Sequence, residues 1–419
     1  MTKCKKNIQN KIDIILAQGG IKCLDSTQLN STQLNSTQLN STQLKRRNSN
    51  FELLRIIAMF SIVLAHTPSQ SYCLGYGLES NMSAKIFHDM VSGWTGSLGN
   101  CLFIMISSWF LIDSKFTIKN LFKIWFSVFS VSLVISLSLW LSKTPIVSFL
   151  DSERYLSSTY DEVKHLVTKK ELILSLTPLY HNIYWFAGTY VIFYICIPFL
   201  NILIKNLTKK MHLILAIGSF SIVCLLPEMP KEGLYKPMVL GLDIFFVCYF
   251  ITTYIKIYSP NFSKRKACFN IIGGCLIIVM FMSIRIIFDL FEIPKKNFIK
   301  SHLISNWSCI IAAMLLFCGF KELPEKFNAV INKFGGATFG VYLIHGQLIF
   351  YPFVLQKIFK IGERLNSGYI IPWTIFTLIV VYIVFSLVEM LRKETIERFA
   401  MKIYFIIENK VKLLYKNES

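Results

Sequence analysis

Apolar runs recur along the chain from Phe51 onward, at about 51–67, 90–112, 120–142, 183–204, 211–227, 237–257, 268–290, 302–320, 336–356 and 370–391. As helices, most approach the roughly 20 residues that cross a hydrocarbon core about 30 Å thick. Lipid-exposed backbone must bond to itself, so the pattern predicts an all-α, polytopic integral membrane protein of about ten transmembrane helices. An even number of spans places both termini on one side. With the N-terminus inside, inner segments carry about twice as many Lys and Arg as outer loops, so both termini are expected in the cytoplasm. The long outer segment 143–181, with Pro145 and Pro178, is expected to cap an outward-facing pocket.

Residues 1–49 break the pattern. Met1 to Asp25 is Lys-rich, and its apolar run, Ile14 to Ala17, is too short for the core of a signal peptide. Ser-Thr-Gln-Leu-Asn then repeats from Ser26, the last copy ending Leu44-Lys45. A five-residue polar period fits no solenoid, so 1–49 is expected to be a disordered, low-complexity tail. A transmembrane domain over 50–392 and a basic amphipathic cytoplasmic tail over 393–419 follow.

Composition agrees with the membrane reading: 53% hydrophobic and 16% charged residues, with mean hydropathy +0.51, exclude an ordinary soluble domain. The formal charge of +20 points to inner loops facing anionic lipid or a phosphate-bearing cosubstrate. Lys and Arg are scattered between apolar runs, and no nucleic-acid motif occurs, so no nucleic-acid partner is expected. Most of the 11 Cys sit within apolar runs, Cys73 alone falling in an outer loop, and neither CxxC nor metal-ligand spacing occurs. They read as small hydrophobes, with no metal site.

The polar residues inside the spans carry the chemistry, because ionisable groups at membrane depth are costly. Arg55 and His66 bracket a stretch that is apolar except for Ser61. At about 1.5 Å per residue they lie roughly 16 Å apart along a helix, about half the hydrocarbon core. Under the deduced topology His66, His181, Tyr184, Trp185 and Asp243 fall in the outer half, and Arg55 with Lys115, Lys119 and Lys123 fall inward. Arg285 and Asp289, four apart on one helix face, read as an ion pair, structural or acceptor-binding.

Four stretches resemble the membrane-bound acyltransferase-3 family. The first is the Arg55-x10-His66 helix. The second is Asn100-Cys-Leu-Phe-Ile-Met-Ile-Ser-Ser-Trp-Phe-Leu-Ile112, which departs from the family signature at Ser108, where Gly is usual. The third runs from His181 through Tyr184-Trp185-Phe186 and Tyr190 to Pro198-Phe-Leu-Asn201, and the fourth is Thr338-Phe-Gly-Val-Tyr342-Leu-Ile-His345. The resemblance implies an enzyme that O-acylates sugars, usually with acetyl groups, with His66 and Arg55 catalytic. It implies that Lys115, Lys119 and Lys123 contact the phosphates of the cosubstrate acyl-CoA (acetyl-CoA). His181, Tyr184, Trp185, Asp243, Arg285, Tyr342 and His345 are acceptor or further site candidates. No bound cofactor is implied; the partners are acyl-CoA, a glycan or lipid-linked saccharide, and membrane lipid. The expected location is the bacterial cytoplasmic (inner) membrane, and the expected form is stand-alone, without a hydrolase-like domain after the membrane part.

A transporter or flippase of lipid-linked sugars is the rival reading, since buried charges also line translocation paths. Against it, the first five spans show no similarity to the last five. The repeat adds an expectation about regulation. Its codons can be written as the unit TCAAC repeated in succession, and a pentanucleotide tract returns to frame only after fifteen bases. Gain or loss of one unit by slippage shifts the frame, so expression is expected to switch on and off between cells. Sequencing the gene tests this: a uniform tract whose length differs among sibling colonies is expected, and varied synonymous codons would sink the idea.

Overall fold

The computed structural model describes residues 47–71, 81–92, 94–142, 145–147, 164–166, 169–179, 184–225, 241–259, 263–291, 306–347 and 350–417. His181 and most of the outer segment 143–181 lie outside them, as does the side chain of Asp289. Residues 48–419 form one compact unit. Among the described residues the fold is helical apart from a short antiparallel ribbon of β1 (Pro145–Val147) and β2 (Lys164–Leu166).

The elements that position the site are α1 (Ser49–Ser71), α2 (Met82–Val91), α3 (Trp94–Leu111), α4 (Ile118–Leu141), α5 (Lys169–Leu174), α6 (Trp185–Asn206), α7 (Lys209–Phe220), α8 (Leu242–Tyr258), α9 (Lys264–Leu290), α10 (Asn306–Lys321), α11 (Ala329–His345), α12 (Phe350–Phe353), α13 (Ile370–Arg392) and α14 (Arg398–Asn417). Among the described residues, five runs are long and apolar enough to cross a membrane: α1, α4, α6, Lys264–Phe288 and the run Ile370–Leu414. A sixth is reached if α11 and the segment Phe350–Ile358, bent by 88°, count as one broken span. The chain is therefore a multi-pass membrane protein.

Contacts fix the helix directions. α1 and α11 run parallel, with Ser49 Oγ 2.8 Å from Asn332 Oδ1 at their first turns and His66 against His345 at their last. α3 runs back beside α1, placing Phe51 at 6.1 Å from Trp109 and 5.4 Å from Phe110 between ring centroids. α10 follows α3, since Trp94 Nε1 donates to Ser308 Oγ at 2.8 Å and Trp109 packs on Phe317. α6 joins them where Asn201 Nδ2 donates to Leu111 O at 3.1 Å, and α8 where Tyr249 hydroxyl donates to Asn201 Oδ1 at 2.6 Å. α13 returns along α4, its Arg392 bonding Ser127 and Ser130. Helices beginning at the Arg55 end thus alternate in sequence with helices ending there.

The Arg55 ends are capped by side chains. Thr117 accepts from Asn120 N, Thr208 from Met211 N, and Asn328 from Val330 N and Ile331 N at 2.9 and 3.0 Å. Such caps satisfy donors that helix starts leave unpaired. Lys119, Lys209 and Lys210 nevertheless crowd the first turns, where the helix dipole disfavours cations. Helix electrostatics does not account for them.

Candidate active site

Pro68 lies inside α1 just past His66. It cannot donate to the preceding turn, and nearby hydroxyls bond this stretch's carbonyls: Thr67 Oγ1 donates to Val63 O at 2.7 Å and Ser69 Oγ to Ala65 O at 2.9 Å. This hydroxyl-braced turn presents His66, half-buried, to the end of α11.

There His66 Nδ1 lies 3.1 Å from His345 Nε2, and His345 Nδ1 lies 2.8 Å from Val341 O. A carbonyl only accepts, so His345 carries its proton on Nδ1 and its Nε2 is an acceptor. His66 must then donate from Nδ1. The remaining nitrogen, His66 Nε2, is bare, and a bare imidazole nitrogen on a half-buried ring is a base and a nucleophile. His345, fully buried, is the group that fixes this tautomer.

Aromatic rings wall the pair. Tyr342 packs edge-on to His345 with centroids 6.0 Å apart, Tyr351 does so at 5.7 Å, and Tyr184 reaches Tyr342 at 6.2 Å. Because the Thr67 proton is committed to Val63 O, the Tyr351 hydroxyl donates to Thr67 Oγ1 at 2.6 Å. That bond ties the segment after α11 to the residue beside His66. The sequence reading missed Thr67 and Tyr351; their signal was adjacency, Thr67 next to His66 and Tyr351 within the same apolar run as His345.

At the opposite end of α1, Arg55 Nη1 donates to Glu52 Oε1 at 2.6 Å, and its guanidinium lies 5.7 Å from the Phe110 ring centre. The Arg55 side chain keeps 25% exposure, whereas Glu52 is buried against Gly335, where a Cβ would meet Glu52 Oε2 at 2.6 Å. A second carboxylate behaves alike. Glu389, fully buried, contacts Gly340 so closely that a Cβ there would overlap its carboxyl group. Arg392 clasps Glu389 in a fork of 2.6 and 2.9 Å and bonds Glu397 at 2.9 Å. The two glycines of α11 are thus the places where carboxylates of α1 and α13 fit against the helix.

Lys115 and Lys119 are exposed and Lys123 is partly so. Lys119 sits 4.5 Å over the Phe405 ring, and Lys123 lies 3.8 Å from Glu397. The structure therefore brings together His66, His345, Tyr342 and Tyr184, and sets Arg55 with the three lysines at the other end of the bundle. Trp185 is 39% exposed, packing on Phe186. Asp243 is buried in the first turn of α8, accepting from Ile244 N at 2.9 Å. Arg285 lies on α9 near Cys309. Among the described residues no cluster of three or more His, Cys, Asp or Glu is disposed to hold a metal ion.

The bundle thus carries cations at one end and an oriented imidazole at the other. Residues 48–389 match the acyltransferase domain of the acyltransferase-3 family, and the chain belongs to that family of membrane acyltransferases. No curated protein and no solved structure matches it.

Proposed function

We propose that the protein moves an acyl group, taken as acetyl, from cytoplasmic acyl-CoA to a hydroxyl of a cell-surface or lipid-linked glycan. The observation that carries this is the hydrogen-bonded pair His66–His345, which leaves His66 Nε2 unprotonated. In direct transfer, Nε2 takes the acceptor hydroxyl proton as that oxygen attacks the thioester carbonyl. The carbon–sulfur bond breaks, the coenzyme leaves as thiolate, and the imidazolium proton is returned to it. In the relay variant Nε2 itself attacks the thioester carbonyl, the carbon–sulfur bond breaks and the coenzyme leaves as thiolate; the acceptor oxygen then attacks the Nε2-bound acyl carbon, the carbon–nitrogen bond breaks, and the hydroxyl proton passes to the thiolate. General base catalysis by a positioned His is typically worth about 10² to 10⁴ in rate. Tyr342 and Tyr184 would flank the acceptor.

The alternating helix directions support ten crossings with both termini cytoplasmic, the lysine-rich ends facing inward, in a bacterial inner membrane. Acyl-CoA is too polar to cross, so its phosphates meet Arg55, Lys115, Lys119 and Lys123 on the inner face. Mass spectrometry of surface glycans with and without the gene tests the reaction: an added acyl mass that needs the gene is expected, and its absence would sink the reading.

Two variants test the parts. His345→Ala removes the acceptor that holds His66 in its tautomer, so kcat should fall by about 10² or more with KM for the donor little changed. His345→Gln, whose amide oxygen can accept from His66 Nδ1, should recover much of the loss. Equal activity of the two variants would show that His345 only packs. On the inner face, Arg55→Ala and a triple Ala change at Lys115, Lys119 and Lys123 should raise the donor KM about tenfold or more while leaving the acceptor KM near its starting value. An unchanged donor KM in membrane vesicles would assign these cations to lipid anchoring.

A further inference from the structure

Between α7, α8 and α10 lies a cavity of about 350 Å³, lined by apolar side chains that include Leu213 and Phe220 of α7, Ile251 and Ile255 of α8, and Ile310 and Met314 of α10. That volume falls within the range of ligand sites. The sequence builds it by spacing: Leu213, Ala216, Ile217 and Phe220 recur at three and four residues on one face of α7, and Ile251, Tyr254 and Ile255 do the same on α8. Ile217, 57% exposed, stands at its edge, so the cavity opens sideways as a groove toward lipid. His212, buried on the flank of α7, ties that helix to α8. Its Nε2 lies 3.1 Å from Phe250 O, and its ring meets Tyr254 and Tyr258 edge-on with centroids 5.3 and 5.8 Å away.

The two lining faces run on to Lys209, one turn before Leu213, and to Tyr258, one turn after Tyr254. There Lys209 Nζ sits 5.7 Å over the Tyr258 ring, so the groove ends in a cation. Charge at this end has one sign. Segment 199–215 holds Lys205, Lys209 and Lys210, segment 251–270 holds Lys256, Lys264, Arg265 and Lys266, and neither holds Asp or Glu. Of these, Lys256 pairs with Asp113. Lys209 and Phe220 are eleven steps apart, roughly 16 Å at about 1.5 Å per residue, close to half of a hydrocarbon core about 30 Å thick. An acyl chain spans that depth between its headgroup and the midplane.

We propose that this groove is a site for one acidic phospholipid of the leaflet at the lysine end. One acyl chain lies along the groove between α7 and α10, and the phosphate is held by Lys209 and Lys210 at the first turn of α7. The charge chooses the occupant. A second copy related by an axis along the bilayer normal would bring the same lysines face to face, whereas an acidic headgroup neutralises them. The first turn of α7 adds its own attraction for a phosphate, through backbone N–H groups and the helix dipole. A bound phosphate therefore explains cations at a helix start, the placement that the dipole alone disfavours. The chain fills the space between the two helices and braces α7 against α10. The inference stands independently of the reaction proposed above.

The test uses the full chain at one copy per nanodisc, in phosphatidylcholine carrying a trace of a phospholipid with a diazirine on its acyl chain, either phosphatidylglycerol or phosphatidylcholine. Crosslinked peptides are mapped by mass spectrometry. The phosphatidylglycerol probe should label the groove faces of α7, α8 and α10 about tenfold more than the phosphatidylcholine probe. Lys209→Glu with Lys210→Glu should bring that ratio to about one, and acidic residues suit a helix start, so α7 is expected to keep its fold. Ile217→Trp, which narrows the groove, should cut labelling there by both probes and leave labelling of the lipid-facing residues Phe376, Ile379 and Ile383 of α13 unchanged. Equal labelling by the two probes in the unaltered chain overturns the proposal, since the groove then holds ordinary boundary lipid. So does an acidic preference that survives the charge reversal, or one equally strong along α13. Groove peptides labelled by neither probe, together with disulfide dimers of Ile217→Cys in dense vesicles that the unaltered chain does not form, would overturn it in favour of a second copy.

Discussion

His66→Ala is expected to yield a chain inserted at wild-type abundance whose acyl transfer falls by about 10² to 10⁴. The ring is half-buried, so truncation removes few packing contacts. The turn that carries it is held by bonds the substitution leaves alone: Thr67 to Val63 O, Ser69 to Ala65 O, and Tyr351 to Thr67. What disappears is His66 Nε2, the nitrogen that the tautomer set by His345 leaves unprotonated on the half-buried ring. His66→Gln separates base from spacer, since its amide can still donate to His345 Nε2 yet offers no basic nitrogen. It should be as inactive as the Ala variant. Acylation of surface glycans by a monodisperse, inserted His66→Ala chain at wild-type level would remove His66 from the chemistry.

The site was legible where chemistry is confined to one helix and hidden where it depends on two. Arg55 and His66 stand out because they interrupt one apolar run, and His345 because it closes a recognisable string. That the two histidines bond each other needed the parallel packing of α1 and α11, which no spacing within either helix encodes. The long spans were readable from hydropathy, because a membrane helix writes its length in apolar residues. The run 90–112 is instead divided in the structure, where α2 ends at Val91 and α3 begins at Trp94. The run 336–356 stops being one straight helix at His345, and its remainder turns by 88°. Hydropathy averages over such breaks, since the residues stay apolar when the backbone turns. Glu52 and Glu389 were passed over because each sits near a span end, where a carboxylate ordinarily reads as solvated; their burial depends on glycines of another helix.

Gly340→Ala and Glu389→Ala should each destabilise the bundle, and the double variant should be more stable than the sum of the two losses. Truncating Glu389 leaves the Arg392 guanidinium buried with Glu397, Ser127 and Ser130 as partners. Breaking a buried pair ordinarily costs about 3–5 kcal/mol, and the surviving Glu397 bond places this case near about 3. Gly340→Ala acts from the other side, because its methyl group would occupy the position of the Glu389 carboxyl group. Either α11 moves off α13 or the carboxylate leaves its fork with Arg392, and overpacking of this kind costs about 1–3 kcal/mol. Once Glu389 is Ala, the new methyl group enters space already vacated and the steric loss should vanish. Residues in such contact couple by about 0.5–3 kcal/mol in a double-mutant cycle. Unfolding of the four chains in mixed micelles with a denaturing detergent measures this coupling. Additive losses would mean that Gly340 and Glu389 do not share the space, and that the small residue of the Thr338-Phe-Gly340 string serves another purpose.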